Sequence, residues 1–166
     1  MRPLMSSSAS NNSPPEEFDE FAEDYDGALN QGLKFTGESK DYFAKGRARW
    51  TAKRLREFGV GEVGSCLDFG CGTGSATPHL YETFNGVKVT GIDPSRESIE
   101  LAREEHGGDR TDFCINSEFD RQGEIDLGYC NGVFHHILPD ERDEAMSTVF
   151  DSLKPGGVFA LWENNP

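Results

Sequence analysis

Asp68, Gly70, Gly72 and Gly74 stand in the run Cys66-Leu67-Asp68-Phe69-Gly70-Cys71-Gly72-Thr73-Gly74, and Asp93 follows nineteen residues after the last glycine. An apolar run that ends in an acid and then in alternating glycines reads as a strand turning tightly into a helix. The glycines let the backbone pass close to a bound molecule and adopt positive φ. The next apolar run, Val87 to Ile92, ends in Asp93, a carboxylate able to accept hydrogen bonds from both hydroxyls of a ribose. Its plainer role would be to cap a helix entered through Pro94-Ser95. In a βαβ unit the turn and the acid fall at one end of the sheet, where a nucleoside-containing cofactor lies. The spacing disfavours a dinucleotide. The fingerprint G-x-G-x-x-G/A would place its third small residue at Ser75, whereas the glycine arrives at Gly74. Asp68 would also sit poorly beside a pyrophosphate, because like charges repel.

A cofactor without phosphates, carrying a cationic amino-acid end, tolerates that acid. S-adenosylmethionine (SAM), with its ammonium, sulfonium and ribose, is such a molecule. The LDFGCGTG stretch resembles the first motif of class I SAM-dependent methyltransferases, and a weaker likeness extends over about residues 18–166. The resemblance implies a cofactor site drawn from Asp68, Phe69, Gly70, Cys71, Gly72, Gly74, Asp93 and Pro94. Asp68 would orient the glycine loop or the methionine end, or serve the structure alone. In the family, the region matching Asn116-Ser117-Glu118-Phe119 holds the adenine; Asn116 and Ser117 are the candidates by position, and Glu118 stands near the usual acid. Tyr129-Cys130-Asn131-Gly132-Val133-Phe134-His135-His136-Ile137 resembles the segment after the fourth strand. There the residue matching Asn131 lends its backbone carbonyl to the methionine ammonium. His135 or His136 would act as general base toward a hydroxyl acceptor, unless both merely pack and hydrogen-bond locally. Glu163-Asn164-Asn165-Pro166 resembles the start of a longer motif in bacterial small-molecule methyltransferases. Tyr25 and the segment from Gly37 to Phe43 look like the family's cofactor cap.

The elements that must position these residues alternate along the chain. Arg47 to Phe58 reads as a helix with Ala48, Thr51, Ala52 and Leu55 on one face, ended by Gly59 and Gly61. Strands are expected at about 65–69, 87–92, 111–115, 125–130 and 158–162. Helices are expected at about 75–84, from a Ser95 cap to about His106, and from an Asp140 cap through Leu153. The apolar positions of that last helix, Ala145, Met146, Val149, Phe150 and Leu153, fall on one face, and Lys154-Pro155-Gly156-Gly157 should stop it. Alternation of strand and helix means a doubly wound parallel α/β sheet. The resemblance makes it Rossmann-like, of strand order 3-2-1-4-5, without the family's C-terminal antiparallel strands. The expected organisation is a disordered tail over 1–15, an N-terminal helical cap over 16–60, and a SAM-binding core over 61–166. Residues 16–26 carry seven acids interleaved with Phe18, Phe21 and Tyr25.

A net charge of −14 over 166 residues argues against a general nucleic-acid partner, since phosphate backbones reward Lys and Arg. The cluster Lys45, Arg47, Arg49, Lys53, Arg54 and Arg56 reads as a solvated helix face. No apolar run approaches the roughly 20 residues that span a bilayer, and no signal segment opens the chain, so no membrane partner and a cytoplasmic location are expected. The four cysteines form no metal-binding pattern and read as small buried thiols. The expected function is methyl transfer from SAM to a small-molecule acceptor. The rival is a non-catalytic SAM-binding fragment or interaction module, with a nicotinamide oxidoreductase a distant third. Because the chain stops soon after strand 5, it is expected to be a truncated product, and the exposed edge of that strand is expected to pair with a second copy.

Overall fold

The computed structural model describes residues 40–163. The tail expected over 1–15 and the first part of the cap expected over 16–60, up to residue 39 and including Tyr25, lie outside the described residues, as do Asn164, Asn165 and Pro166. Five parallel strands form one sheet in the order β3-β2-β1-β4-β5, the expected order. They are β1 (Ser65–Phe69), β2 (Lys88–Asp93), β3 (Thr111–Ile115), β4 (Ile125–Asn131) and β5 (Leu153–Trp162). Helices α1 (Lys40–Glu57), α2 (Thr77–Thr83), α3 (Arg96–His106) and α4 (Arg142–Ser152) connect and flank them.

Both faces of a parallel sheet are covered, so its central strands are apolar throughout rather than alternating. Cys66, Val89, Leu127 and Tyr129 face Ala48, Leu55 and Leu80 on one side. Farther along that side, Ile99 and Ala102 of α3 pack on Phe113. Leu67, Phe69, Ile92 and Cys130 look the other way, toward Val149 of α4. Ser95 caps α3 as expected, its side chain accepting from the Ser98 N–H at 3.2 Å.

Three expectations need correction. Helix α1 begins at Lys40 rather than Arg47, because the buried stripe continues back to Ala44 across Gly46, and one interior glycine costs a helix only about 1 kcal/mol. Helix α4 starts after Glu141, not Asp140, and its cap makes no side-chain hydrogen bond. Its Met146 and Phe150 are 43% and 72% exposed. Ala145 and Val149, one turn apart, form the stripe that meets the sheet; Met146 and Phe150 lie one residue farther round. Strand β5 is longer than expected, because Leu153 already pairs with Ile125. The register then shifts, and pairing resumes at Val158 opposite Leu127, with Gly156 at φ +82° in the irregular stretch. Among the described residues no helix is long and apolar enough to cross a membrane.

Candidate active site

The strand order reverses between β1 and β4, and in open α/β sheets ligands bind outside the carboxyl ends of the strands at that point. A cleft of about 660 Å³ opens there. Phe69, Gly70, Asp93 and Pro94 form one wall, with Asn116 and Ser117 at one end. The loop after β4 contributes Asn131, Gly132, Val133 and His136, and α4 with its approach contributes Ile137, Glu141, Glu144, Ala145 and Thr148.

The glycine turn is held by β2. The N–H groups of Gly70 and Cys71 both donate to the Ile92 carbonyl, at 2.8 and 3.0 Å. Gly70 has φ +70°, and a Cβ there would lie 2.5 Å from a methyl of Val133. Asp93 then fastens the turn: Oδ2 accepts from the Gly72 N–H at 3.0 Å, and Oδ1 from the Ser95 N–H at 2.9 Å. The plainer reading of Asp93, fastening the entry to α3, is thus seen directly, and its place on the cleft wall leaves the other open. It caps the entry to α3 and lines the cleft, and each carboxylate oxygen still has a lone pair to offer.

Several expected site residues are placed elsewhere. Asp68 does not line the cleft; it is buried, and its Oδ2 accepts from the Thr77 hydroxyl at 2.9 Å, which pins the start of α2. Burial raises its pKa from 3.8 to about 6, against the Thr77 hydrogen bond and with help from the charge of Asp93. Cys71 buries its side chain among Ile99, Ala102 and Phe113, and Gly74 lets that same phenylalanine and His106 approach closely. Gly72 faces the cleft only through its bond to Asp93. Glu118 pairs with Arg96 at 3.4 Å and leaves the cleft end to Asn116 and Ser117.

The two histidines divide. His136 lines the cleft, whereas His135 directs Nδ1 to Glu163 Oε2 at 2.8 Å. Their rings lie 3.8 Å apart. Glu163 Oε1 also accepts from the N–H groups of Val133 and Phe134, at 2.9 and 2.7 Å. Burial alone would raise the Glu163 carboxyl, but these bonds, with His135 foremost, outweigh it and hold it below the usual carboxylate value.

Arg47 is a residue that sequence reasoning missed. Instead of joining a solvated face, it turns inward, donates to the Asn131 side chain, and lies over the Trp162 ring at 5.9 Å. Nothing in a helix carrying seven basic residues marks one of them as different. Trp162 in turn donates to the Thr51 hydroxyl at 3.1 Å, so α1 and the end of β5 meet beside Asn131.

A cleft with a carboxylate and a glycine turn on one wall, and a histidine opposite, suits a ribose-containing molecule and a second reactant beside it. Comparison with known proteins agrees. Residues 67–159 match the methyltransferase-domain family. The chain is 34% identical over 149 residues to an uncharacterized methyltransferase of Bacillus cytotoxicus, covering 86% of this chain and 64% of that protein. It is 31% identical over 122 residues to trans-aconitate 2-methyltransferase of Delftia acidovorans, covering 72% of this chain and 45% of that protein. The chain thus spans about half the length of the curated relatives it matches. Among solved structures, the SAM-bound amino pentose methyltransferase of Micromonospora echinaspora superposes with a TM-score of 0.61 at 25% identity, covering 80% of this chain and 54% of that one.

Proposed function

This chain belongs to the family of class I SAM-dependent methyltransferases, and we propose that it transfers the methyl group of SAM to a small-molecule acceptor. The observation that carries the reading is Asp93: a carboxylate tied to the glycine turn, at the wall of a cleft, with lone pairs left for two hydroxyls. In this reading Asp93 receives the ribose hydroxyls, Phe69 and Pro94 flank the nucleoside, and Asn116 and Ser117 meet the adenine. The Asn131 carbonyl faces the methionine ammonium, with the Asn131 side chain held by Arg47. SAM is already activated, so alignment and exclusion of water supply most of the catalysis. The acceptor's lone pair forms the new bond to the methyl carbon, and the C–S bond breaks with its electron pair going to sulfur. An acceptor that carries a proton at the attacking atom must lose it, and His136 is the group on the cleft wall able to take it. His135, committed to Glu163, is the poorer candidate.

The test is calorimetric titration with S-adenosylhomocysteine (SAH), SAM and NAD. SAH and SAM should bind and NAD should not. Asp93→Ala should weaken SAH by more than about tenfold, because charge-assisted hydrogen bonds are lost; unchanged affinity would place the ribose elsewhere. Transfer of label from methyl-labelled SAM to small molecules of an extract separates an enzyme from a SAM-binding module. Strand β5 is paired on one side only among the described residues and exposes Leu161. A second copy adding at that edge would show as a concentration-dependent rise in sedimentation coefficient, and a strictly monomeric species would exclude it.

A further inference from the structure

We propose that Glu163 is a positioning residue that sets the wall of the cofactor cleft from the end of β5. The turn after β4 sets Val133, Phe134 and Ile137 against the core, but the N–H groups of Gly132, Val133 and Phe134 find their partners outside it. Its 3₁₀ segment, Phe134–His136, is three residues long, and it enters through Gly132 at φ +69°. What holds it is the neighbouring strand tip. The Gly132 N–H donates to the Trp162 carbonyl at 2.7 Å, and the next residue, Glu163, takes the N–H groups of Val133 and Phe134 on one oxygen and His135 Nδ1 on the other. One carboxylate thus meets three successive residues.

The consequence reaches the cleft through Val133. Its methyl groups occupy the space that a side chain at Gly70 would need, so the two loops interlock where the cleft floor is formed. Phe134 extends the same contact, its ring 5.9 Å from Phe69 and 6.3 Å from Phe159. If the Glu163 carboxylate is removed, two backbone donors and an imidazole lose their partner together. The turn is then free to shift, Val133 lifts from Gly70, and the lining made by Gly132 and Val133 loses its shape. Glu163 itself is not among the residues lining the cleft, so it acts through them.

The inference rests on the reading that this cleft holds SAM, and SAH is the probe. Glu163→Ala should weaken SAH binding by about tenfold, because the loosened turn must then be ordered when the ligand binds. Glu163→Gln keeps an oxygen for both backbone N–H groups and should restore affinity to within about threefold of the parent, as one retained acceptor predicts. In the ¹⁵N spectrum of the histidine rings, His135 should carry its proton on Nδ1 in the parent. It should change tautomer in Glu163→Gln, where an amide N–H2 faces that nitrogen. Parent-like SAH affinity in Glu163→Ala would overturn the proposal, as would Glu163→Gln binding as poorly as Glu163→Ala. If the parent chain itself does not bind SAH, the reading of the cleft fails at that step, whereas an Nδ1 proton absent from His135 in the parent overturns the clamp itself. The His135 signal distinguishes the cases, since it reports the clamp without any ligand.

Discussion

Asp68 ionises in a place that opposes its charge, and Asp68→Asn should make that visible. The carboxyl is buried beneath the glycine turn with a hydrogen bond from Thr77 and a second carboxylate, Asp93, nearby. Its pKa is raised from 3.8 to about 6, with burial the leading cause. An acid whose folded value exceeds its unfolded value binds its proton more tightly in the native state. Its contribution to stability is therefore fully present below pH 3.8 and is lost as pH rises through about 6. At about 1.4 kcal/mol per tenfold in proton affinity, the span from 3.8 to about 6 is worth about 3 kcal/mol. Asparagine keeps an oxygen for the Thr77 hydroxyl and never ionises. Parent and variant should thus unfold alike near pH 4, and the variant should be more stable by about 3 kcal/mol at pH 8, or roughly 6–12 °C in Tm. Thermal unfolding followed by circular dichroism at both pH values measures the gap, and comparing two chains cancels the titrating groups that do not feel the charge of Asp68. A gap of the same size at pH 4 and pH 8, or a parent more stable at pH 8, would refute the reasoning. Because Asp68 does not line the cleft, SAH affinity should fall less in Asp68→Asn than in Asp93→Ala.

Gly70→Ala should destabilise the chain by about 2 kcal/mol or more, since it combines φ +70° with a Cβ 2.5 Å from Val133. Adding Val133→Ala should recover part of that loss in thermal unfolding, and no recovery would show that the clash is not the cause. Burial pushes the Cys66, Cys71 and Cys130 thiols up, that of Cys130 to about 12. Ellman's reagent at pH 8 should therefore label no more than the half-buried Cys114 quickly in the native chain, and all four in denaturant. Fast native labelling of Cys71 would contradict its packing against Phe113.

The strands and the glycine turn were legible in the sequence because each rests on a local pattern, an apolar run or a breaker; the strand order came with the family resemblance and not from any local pattern. The ends of helices were less so. Gly46 hid seven residues of α1, because a glycine weakens a helix without forbidding one when Ala44 and Ala48 are buried on either side. The apolar face read into α4 is only partly covered, for another reason. Periodicity says which residues share a face, but not how much of that face a neighbour covers, and here the sheet meets only the Ala145–Val149 stripe. In the site, Asp93 was legible from its place at a strand tip. Arg47, Val133 and the role of Glu163 were not, because each depends on a partner far away in the chain, at Asn131, at Gly70 and at the turn after β4. Residue type at a single position carries no trace of such a partner.

Those distant partners nevertheless obey a common rule. At the carboxyl ends of a parallel sheet the chain leaves each strand with unpaired N–H groups, and the first turns of the following helices add their own positive ends. A carboxylate from the adjacent strand tip is the group suited to that field. Asp93, ending β2, takes the Gly72 N–H of the turn after β1 and the Ser95 N–H at the start of α3. Glu163, after β5, takes the Val133 and Phe134 N–H groups of the turn after β4. The two acids stand on either side of the point where strand order reverses, and each ties down a loop of one central strand from its outer neighbour. Asp126 does similar work at the opposite end of the sheet. It accepts from the Gly64 and Ser65 N–H groups and pairs with Lys154 at 2.7 Å, away from the residues that line the cleft. What separates a fastening carboxylate from a site carboxylate is therefore not its hydrogen bonding to backbone, which all three share. It is whether the loops so fastened leave a space between them. Asp93 and Glu163 hold the loops that Gly70 and Val133 bring into contact at the cleft floor, so a change at either acid should be read at the bound cofactor, and a change at Asp126 only in stability.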